Sequence, residues 1–345
     1  MAETKIIGGE FEIEVKQHYE NIHHLPTNVV TFSSGRSALY NILAFVKAHL
    51  GITTILFPDY LCESVYQMAY KNQLKIEFYA LDEQLSPDFN ALESCYDTSK
   101  AVILINYFGL IDYNVIINHL RAINRDMIII LDNVQAPYAM TDDNDADFIF
   151  SSFRKAFPVS DGAWVISKKG MLCQPNKIND FAQYKIAASY LKSLRAHRLF
   201  CDEIYLDLFH KGEVKIDDDY QTDMTTLSKE ILSDMDWQVY AKLRRYNAEV
   251  IIDGLKKLGI IPIIPLQKTA VPLFVPIRID NRDRVRKAMF ANNIFLPVHW
   301  PVEDRFKLEL KRGLDLSVHE LSIIIDQRYT ESDMKHILNV LEDSI

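Results

Sequence analysis

Short apolar runs recur through the first half of this chain, each followed by a polar turn and then by a stretch with helical spacing. They fall at residues 29–32, 55–57, 76–79, 102–106, 128–131, 148–150 and 163–167. Several are nearly continuous in Val, Ile and Leu, the pattern of strands covered on both faces. Residues 36–49 and 115–124 between them read as helices. Such alternation predicts an α/β fold built on a doubly wound, mostly parallel sheet.

The pattern then changes. Residues 180–212 show no strand and carry charges at helical spacing, and Asp217, Asp218 and Asp219 mark a loop. A long helix is expected over 236–258, then the run IIPIIPLQ, a strand in VPLFVPIRI and a helix over 282–292. With 345 residues the chain has room for a large domain, 1–234, and a smaller C-terminal α/β domain, 235–345.

Composition excludes several classes. Hydrophobic residues make up 48% and charged ones 25%, ordinary for a soluble globular protein. The net charge of -9 argues against nucleic acid as the main partner, because phosphate binding needs a basic face. No run approaches ~18 uninterrupted apolar residues, so no membrane span is expected. The N-terminal MAETKIIGGEFEIE has no apolar signal core. The four cysteines, Cys62, Cys95, Cys173 and Cys201, form neither a disulfide framework nor a metal-ligand spacing. The expectation is a cytoplasmic protein without a metal.

In a doubly wound sheet, ligands bind at the carboxyl ends of the strands. Three polar features stand there. SSGRSAL, residues 33–39, places Ser34, Gly35, Arg36 and Ser37 at a strand-to-helix turn, where free N–H groups favour a phosphate. Plain helix capping explains the same residues. Asp132 ends the strand MIIIL, where a buried carboxylate needs a partner unless it caps the next element. Lys155 follows the next strand in SSFRKAFPVSDGAW; alone it reads as a surface lysine.

The order of these parts resembles the fold-type I enzymes of pyridoxal phosphate (PLP), and within them the DegT-type sugar aminotransferases. Ser34-Gly35-Arg36-Ser37-Ala38-Leu39 is similar to that family's phosphate turn, with Arg36 in place of a threonine. Asp132-Asn133-Val134-Gln135-Ala136 keeps the spacing of its aspartate and glutamine. Ser152-Phe153-Arg154-Lys155, with Gly162 downstream, looks like its lysine segment. Asn106-Tyr107-Phe108-Gly109, Met224-Thr225-Thr226-Leu227, Arg244-Arg245-Tyr246-Asn247-Ala248 and His299-Trp300-Pro301 resemble further motifs.

The resemblance implies a set of roles. Lys155 would form a Schiff base with PLP and move the proton once freed. Asp132 would pair with the ring nitrogen and Gln135 with the phenolic oxygen. Ser34, Gly35, Arg36, Ser37 and Ser152 would hold the phosphate, with Asn106 nearby. Tyr60 or Cys62 would face the ring, both alternatives being open. Tyr220, Gln221 and His299 would serve the substrate or a partner subunit's site, in a homodimer. Asp223 stands where the family has an arginine. The implied activity is amine transfer from a small-molecule donor, glutamate, to a keto-sugar linked to a nucleotide. Another PLP reaction on this scaffold, or a degenerate non-catalytic member, are the alternatives.

Other residues read more plainly. The pair His23 and His24 reads as surface, and Cys62 taken alone as a small buried hydrophobe. Arg282, Arg284, Arg286 and Lys287 read as a solvated helix face, with Arg328 a weaker substrate candidate.

Overall fold

A computed structural model describes residues 5–13, 25, 28–140, 143–194 and 202–345. His23, His24 and Cys201 lie outside the described residues. After a short strand β1 (Ile7–Gly8), the apolar runs become strands β2 (Val30–Phe32), β3 (Thr54–Pro58), β4 (Lys75–Tyr79) and β5 (Lys100–Ile105). They continue as β6 (Ile128–Asp132), β7 (Phe148–Ser152) and β8 (Ala163–Ser167). These last seven form one sheet in the order β2-β8-β7-β6-β5-β3-β4. The pairings from β4 across to β7 are parallel, while β8 is antiparallel to both its neighbours. β2 and β7 therefore run the same way, and the carboxyl ends of β2, β3, β5, β6 and β7 share one edge of the sheet.

Helices α1 (Gly35–Leu50), α2 (Glu63–Lys71), α3 (Phe89–Cys95) and α4 (Tyr113–Ile123) connect the strands. α1 shows why the local sequence folds as it does. Ser34 caps its start, accepting the Ser37 N–H, and Gly51 ends it with φ +68°. Leu39, Ile42, Leu43 and Val46 form its buried stripe, each worth about 1.5–3 kcal/mol of burial. That stripe presses α1 against β7 and β8, which fixes its N-terminus over the sheet edge.

α5 (Ala182–Ser193) and α6 (Asp202–Lys215) pack on each other through a small core of Ala188, Tyr205 and Phe209. α7 (Thr226–Ser233) and α8 (Trp237–Lys257) follow, then β9 (Phe274–Arg278), α9 (Arg282–Ala291), β10 (Ile294–Phe295), α10 (Lys311–His319), β11 (Glu320–Ile324) and α11 (Glu331–Glu342). A second hydrophobic core joins α8, α9 and α11 to β9 and β11. Ile7 belongs to it, because β1 pairs in parallel with β10 and the Gly8 N–H donates to Tyr329 Oη at 2.7 Å. No described helix is long and apolar enough to cross a membrane.

The basic face expected on α9 is only partly solvated. Arg282 is buried and donates to the carbonyls of Ser317 and Glu320, tying α9 to α10 and β11. Arg286 donates to the Leu296 carbonyl, while Arg284 and Lys287 are exposed.

Candidate active site

The sheet edge opens into a cavity of about 380 Å³. Ser34, Gly35, Arg36, Cys62, Asp132, Gln135, Ser152 and Lys155 line it, from turns that follow β2, β3, β6 and β7. Gly35 has no room to spare: a Cβ there would meet Val134 Cγ2 at 3.2 Å and Ser152 Cβ at 3.5 Å. Its N–H and that of Arg36 start α1 without a partner along the helix. The Ser37 N–H is already taken by Ser34 Oγ at 3.1 Å. Ser37 is buried and does not line the cavity.

Asp132 is almost wholly buried at the end of β6. Among the described residues one hydrogen bond reaches its carboxylate, from the Val134 N–H at 2.8 Å. Burial pushes its pKa up to about 7, against the opposing effects of that N–H and of Lys155. Gln135 accepts the Phe108 N–H through Oε1 at 3.0 Å, which leaves its Nε2 donors to the cavity. Phe108 holds that N–H in place with φ +57°, and its carbonyl accepts from Leu273 N–H at 2.7 Å.

Lys155 ends a tight turn, Phe153–Lys155, directly after β7. Its side chain is accessible because it stands in open cavity rather than on the outer surface. The protein around it still restricts water, and that enclosure, followed by the charge of Arg154, pushes its pKa down. Lys155 and Arg154 also line a second cavity of about 460 Å³, closed by Gly8–Phe11 on one side and by Arg286 and Arg328 on another. Arg328 is paired with Asp326 at 2.8 Å and lies over the Phe11 ring at 4.1 Å.

Of the two residues expected at the ring, Cys62 lines the cavity and Tyr60 does not. Tyr60 is buried behind it, stacked on Tyr107 with centroids 5.5 Å apart and packed at 4.9 Å on Trp300. Its hydroxyl donates to the His299 carbonyl at 3.1 Å. Tyr60 thus props up His299 and Trp300, which do line the cavity. Trp300 is the aromatic that the sequence reading passed over, although it stood beside His299 in a motif already noted. The His299 N–H donates to the fully buried Glu320 at 2.7 Å, and Ser322 Oγ lies 3.1 Å from His299 Nδ1.

Asn106 is not in the cavity either. It donates to Asn133 Oδ1 at 3.2 Å and accepts from Ile111 N–H, bracing the turns behind Gln135. Tyr220 and Gln221 do not line the cavity. Tyr220 stacks on Tyr40 at 4.9 Å and donates to Asp217, and Gln221 is exposed. Asp223 is structural: it accepts from Thr31 Oγ1 at 2.6 Å and pairs with Lys229 at 2.7 Å.

Glu213, on α6, was missed altogether. It lines the cavity and accepts from Arg36 Nη2 at 2.5 Å, Arg154 Nη1 at 3.1 Å and Lys185 Nζ at 2.9 Å. Burial works against its charge, but Arg154, Lys185 and Arg36 outweigh it and hold the carboxyl well below the usual range. Arg36 therefore does turn inward, yet its charge is shared between Glu213 and Asp217.

No protein-family model and no curated protein matches this sequence. Solved structures, however, superpose on most of it. The aminotransferase TlmJ from Streptoalloteichus hindustanus does so with TM-score 0.67 and 16% identity, over 94% of this chain and 87% of its own. The sugar aminotransferase CalS13 from Micromonospora echinospora gives 0.63 and 15%, over 92% and 88%. A DegT DnrJ EryC1 StrS aminotransferase from Brucella abortus gives 0.65 and 15%, over 93% and 86%. This chain has their fold. It is fold type I, as the sequence resemblance implied.

The donor set fits the cofactor of that fold. A fold-type I cleft must offer an amine, an acid for a ring N–H, a donor for a phenolic oxygen and a cradle for a phosphate. Lys155, Asp132, Gln135 and the Ser34–Gly35–Ser152 cup bring groups of those kinds into one cavity. Among the described residues no cluster of His, Cys, Asp or Glu could hold a metal ion.

Proposed function

We propose that this chain is a PLP-dependent aminotransferase of the DegT type. It would move an amino group from glutamate to a keto-sugar carried on a nucleotide, in surface-glycan or secondary-metabolite biosynthesis. One observation carries the reading: Asp132, buried with one backbone hydrogen bond, shares a cavity with Lys155 and the Ser34–Gly35–Ser152 cup. The sequence motifs and the sugar aminotransferases among the structural neighbours support the substrate class.

When bound, PLP supplies an electron sink for the carbanion at the substrate α-carbon. The protein's part follows from its own groups. The Lys155 amine, its pKa lowered, is unprotonated at a lower pH than an ordinary lysine and so can hold the aldehyde covalently. Once displaced, the same amine would be free to act as the base for the substrate's α-proton. Asp132 would favour a protonated ring nitrogen, because that cation would offset the charge that burial disfavours on its carboxyl. Gln135 Nε2 would orient the phenolic oxygen. The Gly35 and Arg36 amides, with Ser34 and Ser152, would take the phosphate.

A homodimer belongs to the same reading, with Tyr220 and Gln221 serving the partner's cleft; that they do not line the cavity of their own chain supports it. The same reading divides the chain into domains at 234/235, and α8 supplies Ala248, Ile251 and Leu255 to the second core.

The test begins with purified protein and added PLP. A visible absorption band should form, and borohydride should fix the cofactor on Lys155, as read by peptide mass. Neither should occur in Lys155→Ala. Glutamate should then convert the bound cofactor to its amine form, and nucleotide keto-sugars should return it. A wild-type protein that takes no cofactor at Lys155 would overturn the reading.

A further inference from the structure

The Glu213 carboxylate is held as a bound anion is held. Oε1 accepts from Arg36 Nη2 at 2.5 Å and Arg154 Nη2 at 3.3 Å, while Oε2 accepts from Arg154 Nη1 at 3.1 Å and Lys185 Nζ at 2.9 Å. Two guanidinium groups and an ammonium thus converge on a single carboxylate. Arg154 grips both of its oxygens, the fork geometry that suits carboxylate and phosphate alike.

The place is as telling as the geometry. Glu213, Arg36 and Arg154 line the same cavity as the Ser34–Gly35 turn and Ser152. Glu213 does not belong to the sheet edge that builds this site. It reaches in from α6, which packs on α5 through a small core of its own. Arg36 and Lys185 each have a second acid at hand, Asp217 at 3.0 Å and Glu10 at 3.8 Å. Arg154 has Glu213 alone among the described residues. An anion that enters the cup shares its cavity with Arg154, which Glu213 holds.

We propose that Glu213 is an internal surrogate for phosphate: it occupies the Arg36–Arg154 clamp and is exchanged for the phosphate of the incoming cofactor. The proposal rests on the PLP reading above and deepens it. A phosphate ester brings about −1.5 to −2 charges to the clamp where Glu213 brings one, so the exchange favours the ester. Glu213 keeps Lys185 as its partner when displaced, so no carboxylate is stranded. In the cofactor-free chain, the surrogate keeps the Arg154 guanidinium from standing unpaired near Lys155, while Arg36 also has Asp217.

The test is binding to cofactor-free full-length protein, read by absorbance and fluorescence titration with PLP, pyridoxal and inorganic phosphate. Arg154→Gln should weaken PLP by at least about tenfold, the scale of one charge-assisted hydrogen bond. Pyridoxal, which lacks the phosphate, should bind both proteins alike at a pH above the midpoint of its condensation in each. Glu213→Gln should tighten PLP several-fold and make inorganic phosphate a better competitor. Glu213→Asp, whose carboxylate is drawn back by one methylene, carries the same expectation should the glutamine variant not fold. If either Glu213 variant weakens PLP as Arg154→Gln does, Glu213 is a strut for the arginines and the proposal falls. It falls equally if neither variant changes PLP affinity. Failure of the underlying reading looks different: neither PLP nor pyridoxal would then be fixed on Lys155 by borohydride in any variant.

Discussion

Lys155 is the cation whose charge reaches Asp132 across the cavity, and it offsets only part of what burial does to that carboxyl. Asp132 is left protonated up to about pH 7 in the folded chain, whereas an unfolded aspartate releases its proton near 3.8. Between these values the native state holds a proton that the unfolded state has lost. Stability therefore falls as pH rises through this window and levels off above it. The slope from this residue is roughly 1.4 kcal/mol per pH unit. Urea unfolding of cofactor-free protein between about pH 4 and pH 8 should show it, and Asp132→Asn should flatten it. Equal slopes in the two proteins would mean that Asp132 is not the buried acid of this site.

Asp132→Asn also bears on turnover. An amide favours the unprotonated ring, which is the poorer electron sink. Amine transfer should fall by on the order of 10²–10³, the loss seen when one preorganised electrostatic group is removed. PLP should still be fixed on Lys155 by borohydride, since Asp132 does not supply that amine. Single-turnover measurements with glutamate separate the two effects.

The pH at which Lys155 reacts should respond to Arg154. After enclosure, Arg154 is the largest influence that depresses the Lys155 pKa. Arg154→Gln removes that charge, so the amine should keep its proton to higher pH. Pyridoxal reports this without involving the phosphate. The pH midpoint of its condensation with the protein should move upward in the variant, and a midpoint that moves down or stays would contradict the electrostatic assignment.

Much of this molecule is legible in its sequence, for a physical reason. Strands β3, β5, β6 and β7 are covered on both faces, so each is a continuous apolar run whose end is easily seen. A polar residue at such an end, Asp132, stands out against it, and Lys155 is legible by its order after Asp132 and the SSGRSAL turn. Side-chain direction does not show in the same way. Tyr60 and Cys62 are two positions apart, and which of them faces the cavity depends on Tyr107 and Trp300, remote in sequence. Glu213 was illegible because its partners stand at 36, 154 and 185, and spacing along the chain carries no trace of them. Arg282 misled for the converse reason: its buried partners are backbone carbonyls, which every sequence has.

The Cys62 placement has a direct chemical readout. Cys62 is partly accessible and lines the cavity, while Cys173 is exposed elsewhere. Iodoacetamide should label both in cofactor-free protein. PLP should protect Cys62 and leave Cys173 unaffected, as measured by the mass of the labelled peptides. Equal labelling of Cys62 with and without PLP would place the cofactor ring away from it.

The N-terminal strand gives a test of how the second core closes. Gly8 has φ +109°, and a Cβ there would meet the Phe295 carbonyl oxygen at 2.6 Å and Ile324 Cδ1 at 2.8 Å. Gly51 also has positive φ, +68°, but a Cβ there would meet nothing within 4 Å. Gly51→Ala therefore isolates the backbone penalty, about 1–2 kcal/mol for the left-handed conformation. Gly8→Ala adds a collision with backbone that can be relieved only by parting β1 from β10. It should cost more than Gly51→Ala in urea unfolding. It should also speed hydrogen exchange at Ile7, whose N–H donates to the Asn293 carbonyl at 3.0 Å. Gly8 and Gly9 wall the second cavity beside Lys155 and not the one lined by Ser34, Gly35 and Ser152, so loosening β1 should disturb the second cavity first. The expected signature is a raised KM for amine transfer with PLP affinity unchanged, and a loss of PLP affinity instead would mean that β1 supports the cofactor cup.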